Sequence, residues 1–473
     1  MRNAFRSGMI FTAIGQYSNV LIQLLINVVL SRLIPVEEFG VVANVQVFLV
    51  FFQMFVTAGL GPAIIQNKEM KEEDYGIVFN YTVLFAFLLA VGFGLFGHFV
   101  AIIYNNSIYK SLFWFMSIIV FSEGMNVVPT AILNKELRFR TLNLRLLFCN
   151  LFGAIFGIAS AFAGFGVYAL ILSAAIPAIA TLFANFAVVK IKYTKSLDPQ
   201  PFKVLWSFAK NQLGFTILNY FSRNSDNLLI GRFLGPVPLA NYQKSYQMIT
   251  MPNTVFLGII SPVLQPVLSH HQDDVKLIRE TFLKIVHVLG LIAFPLTIFM
   301  VMNAEEIILF LFGSRWYAAV VPFSILAFSI WAQMLTSATG SIFMARNHSK
   351  TLLKTGMIST FLILSLTLVG INFSKITYVA AFVCAAYILN FFTSYWILMT
   401  KVLEGKLSDV LKQLISPLCI SVVLAAALFL FDHLITIDTN YFVLLVIKGI
   451  LWLILLVSCL LITGEVKKIK SVF

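Results

Sequence analysis

The run GMIFTAIGQYSNVLIQLLINVVLSRLIPVEEFGVVANVQVFLVFFQMFVTAGLGPAIIQ (8–66) is written again 200 positions later, without a gap, as FAKNQLGFTILNYFSRNSDNLLIGRFLGPVPLANYQKSYQMITMPNTVFLGIISPVLQP (208–266). Arg32 falls on Arg232 and Pro62 on Pro262. Polar residues inside the apolar stretches coincide as well: Asn19 with Asn219, Gln23 with Arg223, Asn27 with Asn227, Asn44 with Lys244, and Gln53 with Asn253. Identity between the copies is barely above chance, so these coincidences carry the argument. Each polar group costs free energy in hydrocarbon and should not recur by accident. Two repeated lobes with polar stripes are the usual plan of a secondary transporter.

Composition supports a membrane setting. The chain is 60% hydrophobic and 11% charged, with 47 Phe, against about 45–50% and about 25% in soluble domains. A spanning helix takes about 20 mostly apolar residues. About fourteen such stretches lie between residues 10 and 463, including 285–312 and 320–344, and the connections are too short for a soluble domain. The expected fold is therefore an all-α polytopic membrane protein of about 14 transmembrane helices. Two pseudo-symmetric six-helix lobes are expected, an N-lobe (1–190) and a C-lobe (205–400). The basic, proline-bearing segment IKYTKSLDPQPFKV (191–204) reads as a cytoplasmic linker between them. Residues 401–473 supply an appended helix pair, suited to a lipid-facing role, and a cytoplasmic tail.

The net charge of +13 invites a nucleic-acid partner, and its distribution argues against one. With the amino terminus inside and fourteen alternating spans, only Arg32, Lys110, Arg232, Arg315 and Lys375 of 33 Lys and Arg fall outside. Arg223, Lys244 and Lys448 sit within spans, and the others lie at cytoplasmic ends. This is a strong positive-inside bias, and it places both termini in the cytoplasm. The first span is too long and too rich in amides to be a cleavable signal. The four cysteines lie in helical stretches without metal-like spacing and read as apolar filler. The basic segment NKELRFRTLNLR (134–145) either lies along the headgroup surface or is an ordinary positive-inside loop.

Two stripes stand out. Gln16, Asn19, Gln23 and Asn27 fall within about 80° of one another on span 1, and Asn219, Arg223, Asp226 and Asn227 within about 100° on span 7. Such faces either glue helices together or line a water-filled cavity. Arg223 either bridges Asp226 or grips an anion, because a guanidinium holds phosphate oxygens through paired hydrogen bonds. Lys244 either adds a second cation or snorkels to the interface. Asn44 and Gln53 complete the candidate lining. Glu123, with Asn126 and Thr130 continuing its face, is the acid deep in span 4. It would take up a proton, coordinate sodium, pair with a cation, or pack as a neutral residue. His98 and His287 read as satisfied interior histidines, and Glu305, Glu306, Asp432 and His433 as interfacial. No nucleotide-binding glycine loop, acidic metal motif or Cys/His cluster emerges. The chain is expected not to be an enzyme and to need no cofactor, drawing instead on a proton or sodium gradient or the membrane potential.

Residues 30–66 (LSRLIPVEEFGVVANVQVFLVFFQMFVTAGLGPAIIQ), 222–235 (SRNSDNLLIGRFLG), 240–248 (ANYQKSYQM) and 129–142 (PTAILNKELRFRTL) carry a family likeness. The chain resembles the Wzx-type lipid-linked oligosaccharide flippases, a polysaccharide transporter family of the multidrug/oligosaccharidyl-lipid/polysaccharide exporter superfamily. The nearer likeness is to the branch with colanic and teichuronic acid exporters. That resemblance implies two six-helix bundles around a central, typically cationic cavity. It also implies an undecaprenyl diphosphate-linked oligosaccharide substrate, moved from the inner to the outer leaflet of the bacterial cell membrane. Membrane lipid, a polysaccharide polymerase and glycosyltransferases would be its partners. A cation-coupled multidrug exporter of the same superfamily is the second reading, and a membrane glycan polymerase a third.

Overall fold

The computed structural model describes residues 2–57, 60–67, 70–192, 194, 198–269, 274–435 and 440–466. Within these, it describes all side chains except those of 2–14, 16, 66, 207–212, 214–215, 218–219, 221–223, 255–269 and 349. The described residues are 88% helical, with no strand among them. It forms two compact units, Met1–Ala240 and Asn241–Phe473. The first contains α1 (Arg2–Leu33), α2 (Val36–Thr57), α3 (Leu60–Gln66), α4 (Glu72–Ile103), α5 (Ile108–Lys135), α6 (Phe139–Phe162), α7 (Val167–Val188) and α8 (Gln200–Phe233). Helix α9 (Pro236–Ser269) begins in the first unit and continues in the second. The second unit adds α10 (Val275–Met302), α11 (Ala304–Phe312), α12 (Val320–Ala327), α13 (Ile330–Ser337) and α14 (Thr339–Ala345). It ends with α15 (Ser349–Ile371), α16 (Ile376–Lys401), α17 (Leu407–Leu434) and α18 (Tyr441–Ile462).

This is an all-helical polytopic membrane protein. Among the described residues ten helices are long and apolar enough to cross a bilayer, and up to eleven if one bent pair forms a single span. Helices α1, α8 and α9, of 32, 34 and 34 residues, also have the length. The written repeat has its counterpart in the helix boundaries. Helix α1 ends at Leu33 and α8 at Phe233, while α2 begins at Val36 and α9 at Pro236.

In lipid, close backbone approach replaces the hydrophobic drive between helices, and the glycines mark where it happens. A Cβ at Gly97 of α4 would lie 2.5 Å from Phe113 Cβ of α5, and one at Gly153 of α6 would lie 2.2 Å from Pro177 Cγ of α7. The core of the first unit then closes over stacked Phe93 and Phe113, 4.5 Å apart. Acidic groups open several helices, where they complement the helix dipole and cap free N–H groups. Asp74 accepts from the Lys71 N–H at 2.8 Å before α4, and Asp274 from the Leu277 N–H at 2.9 Å in α10.

The structure departs from the sequence expectation in two places and shows the form of a third segment. The stretch 320–344 is broken: Ser314–Ala327 and Ile330–Ala345 meet at 50°. The Trp331 N–H at the break donates to Thr297 Oγ1 of α10 at 3.1 Å, which satisfies a backbone group the kink would otherwise strand. The stretch 285–312 is likewise divided at buried Asn303, between α10 and α11. The basic segment 134–145 forms the end of α5, a turn through Leu137 with φ of 56°, and the start of α6.

The appended pair α17–α18 is held by more than lipid-facing leucines. Lys448, 3% exposed, donates to Glu306 Oε1 at 2.6 Å and lies 2.7 Å from Asp432 Oδ1. Glu306 and Asp432, expected to be interfacial bystanders, are its counter-ions. The Trp452 indole N–H donates to the Pro295 carbonyl at 3.2 Å, beside a cluster of Leu291, Ile420 and Leu424.

Candidate functional site

The second helix of each repeat buries one polar side chain against aromatic rings at the same register. In the first unit Asn44 is 2% exposed, and its Nδ2 donates to Tyr109 Oη at 2.9 Å. A buried tyrosine hydroxyl needs a partner, and Asn44 supplies it. Gly231 of α8 comes so close that a Cβ there would lie 2.0 Å from Asn44 Oδ1. Asn44 is thus a junction between α2, α5 and α8. In the second unit Lys244 is 4% exposed, with its Nζ 4.9 Å from the Phe312 ring centroid and 5.2 Å from that of Trp316. A desolvated ammonium over aromatic faces is held by the ring quadrupoles. Lys244 does not snorkel.

On α1, half-buried Asn19 accepts from Asn150 Nδ2 of α6 at 2.7 Å, while Asn27 Nδ2 donates to the Gln23 carbonyl at 2.9 Å. Gln23 itself is exposed. So within one stripe Asn19 joins helices, Asn27 bonds its own turn, and Gln23 stays open. On α2, Gln53 is half-buried and its backbone carbonyl accepts from Thr57 Oγ1 at 2.9 Å. On α8, Asp226 is buried and its Oδ1 accepts from the Asn227 N–H at 2.9 Å. Asn227 Oδ1 is buried without a hydrogen-bond donor. The Asn219 and Arg223 side chains lie outside those described.

Glu123 has the most developed surroundings. Its face of α5 continues through Asn126 and Thr130, and this face meets α6 and α7. Arg145 of α6 is the cation within electrostatic reach of Glu123. Its Nη1 donates to Asn185 Oδ1 of α7, in a short contact, and lies 3.5 Å from Thr130 Oγ1. Asn185, fully buried, donates to Asn126 Oδ1 at 2.6 Å. Asn126 in turn donates to the Ala178 carbonyl at 3.4 Å. Arg145 Nε is buried and unpartnered. Glu123 therefore faces a guanidinium whose bonds go to one amide and one hydroxyl, and no ion pair joins the two among the described residues. Sequence alone does not single out Arg145, Asn150 or Asn185. Arg145 reads there as one positive-inside charge among many. Only its place seven residues into α6, on the turn that faces Glu123, sets it apart.

With this geometry in place, the sequence signature of the family described as Polysaccharide biosynthesis protein matches residues 29–321. The chain belongs to that family. Among relatives of this chain is the teichuronic acid biosynthesis protein TuaB of Bacillus subtilis (strain 168). It is 25% identical over 345 residues, which cover 72% of this chain and 71% of TuaB. The lipopolysaccharide biosynthesis protein WzxC of Escherichia coli (strain K12) is 24% identical over 431 residues, 89% of this chain and 86% of WzxC. In fold, the chain matches the lipid II flippase MurJ in its inward closed conformation. The TM-score is 0.74 at 15% identity, over 95% of this chain and 98% of MurJ. At that identity the likeness is one of fold.

Proposed function

We propose that this chain is a flippase. It would move an oligosaccharide repeat unit carried on undecaprenyl diphosphate from the inner to the outer leaflet of the bacterial cell membrane, for a surface polysaccharide, by alternating access. The observation that carries this reading is membership of a polysaccharide biosynthesis family by an all-helical membrane chain. The names of its relatives TuaB and WzxC fit the same role, and the fold it shares with MurJ is one that a lipid II flippase uses.

The physics of the cargo points the same way. A pyrophosphate and several sugars stripped of water cannot cross hydrocarbon. A hydrated path lined by amides with a cation removes most of that cost, while the prenyl tail stays in lipid. On this reading Gln23, Asn27, Gln53, Asn219 and Asn227 meet sugar hydroxyls, with Asn19 and Asn44 holding the helices that carry them. Arg223, with Asp226 beside it, meets the diphosphate, while Lys244 stays buried against Phe312 and Trp316. Glu123 couples the cycle to a proton or sodium gradient, with Arg145 as its internal counter-charge. A glycosyltransferase supplies the substrate and a polymerase consumes it. A multidrug exporter would want an acidic pocket for cationic drugs, and the central charge of the α8 stripe is an arginine.

Deletion of the gene is expected to abolish the surface polymer and leave undecaprenyl-linked repeat units on the cytoplasmic leaflet. A deletion strain with normal polymer and no such accumulation rules the flippase out. The topology proposed with it has fourteen spans and both termini in the cytoplasm, from the charge bias. Single cysteines in the 66–75 or 191–204 connections, on a background without native cysteines, should resist an impermeant thiol reagent applied to intact cells. Labelling there from outside overturns that topology.

A further inference from the structure

We propose that His287 and Glu465 form a proton-dependent latch fastening the C-terminal helix pair to α10. The flippase reading makes no use of this cluster. His287 of α10 is buried, with Nδ1 2.7 Å from the Gln413 carbonyl oxygen of α17 and Nε2 2.7 Å from Glu465 Oε2. Glu465, three residues past α18, is 1% exposed, and its Oε1 accepts from Ser416 Oγ of α17 at 2.6 Å. Glu465 makes a further interaction besides these. One carboxylate and one imidazole thus join α10, α17 and the end of α18.

Proton counting gives the latch its property. A carbonyl oxygen has no hydrogen to donate, so Nδ1 carries one. The contact between Nε2 and Oε2 then needs one more hydrogen between them. An imidazolium facing a carboxylate supplies it, and so does a neutral imidazole facing a carboxylic acid. Without it, a nitrogen lone pair meets an anionic oxygen at hydrogen-bond distance in a buried site, and the contact is repulsive. The latched form therefore holds a proton that the open form gives up, so latching weakens as pH rises through the titration of the pair.

The other end of α18 differs. Lys448, the one charged residue of that helix, sits between Glu306 and Asp432. An ammonium stays charged throughout the range in which histidine titrates. Between the two ends lie about 21 Å of helix, with Trp452 bonded at mid-length. Among the described residues the charged neighbours in the adjacent turns of the latch, Lys284 on α10 and Lys412 on α17, are exposed, and Lys467 and Lys468 follow Glu465 in the sequence. The pair α17–α18 is thus pinned at the Lys448 end and released by proton loss at the Glu465 end.

Amide hydrogen exchange on the full-length protein in nanodiscs tests this, with rates corrected for intrinsic pH dependence. Protection of peptides covering 453–466 should fall about tenfold per pH unit above the midpoint, while peptides around Lys448 and within α5 stay constant. Glu465→Gln presents an amide that donates to Nε2 and still accepts from Ser416, so protection should stay high and flat across the same range. His287→Ala should leave 453–466 poorly protected at every pH. Wild-type protection that ignores pH, a fall shared equally by α5, or a Glu465→Gln profile that tracks wild type overturns the proposal.

Discussion

Arg223→Ala is expected to reduce glycan export about ten- to a hundredfold while the protein still accumulates in the membrane. A guanidinium–phosphate contact in a partly wet path is a charge-assisted hydrogen bond worth about 1.5–3 kcal/mol. Arg223→Lys keeps the charge and loses the planar fork, so partial export should return. The competing account is a structural bridge to Asp226, three residues on. Asp226 is buried, and its Oδ1 already accepts from the Asn227 N–H. A carboxylate so placed has local support from the backbone whether or not Arg223 pairs with it. Under the bridge account, removing either partner strands a charge in low dielectric, and removing both restores function. Near-normal export by Arg223→Ala/Asp226→Ala therefore rules out the anion-binding role. Loss of export in that double variant, at normal protein level, supports it. The measurement is surface polymer per molecule of transporter.

The helical membrane fold and the repeat were legible because both rest on periodic signals. Apolar length marks spans, and polar positions recurring at an offset of 200 mark equivalent helices, whose ends then fall at Leu33 and Phe233. The breaks at 328–329 and at Asn303 were not legible. Neither is made by proline, and each depends on neighbouring side chains, such as Thr297 meeting the Trp331 N–H. The chemistry of single polar residues was legible only as a choice between joining and lining. Asn19 and Asn44 carry joining bonds, to Asn150 and Tyr109. Their partners lie 131 and 65 residues away, beyond any local pattern. Lys448 and His287 show the same limit. Sequence located both within helices, but their carboxylate partners are Glu306 and Asp432, which read as interfacial, and Glu465, which the sequence did not single out. A long-range ion pair leaves no periodic trace.

Glu123→Gln is expected to leave protein levels normal and to make export indifferent to collapse of the proton and sodium gradients. The rate should fall about tenfold in energised cells, near 1.4 kcal/mol. The argument rests on what surrounds the carboxylate. Arg145 is close enough to stabilise a negative Glu123, yet its Nη1 is spent on Asn185 and Thr130, so it neutralises Glu123 without capping it. Such a carboxylate has room for a proton or a small cation, and the guanidinium sets the electrostatic balance that binding would tip. Arg145→Ala alone should be harsher. It leaves the Asn185 carbonyl without its donor and Glu123 without its counter-charge inside a membrane bundle, which costs about 1–3 kcal/mol for the unmet hydrogen bond alone. Reduced protein level is the expected readout. Adding Glu123→Gln to Arg145→Ala removes the uncompensated charge, and protein level should recover in part while gradient dependence stays absent. If Glu123 were only a neutral packing residue, Glu123→Gln would export at the wild-type rate with the wild-type response to uncouplers. That outcome would remove Glu123 from the coupling step and leave the Arg145–Asn185–Asn126 network as a purely structural tie between α5, α6 and α7.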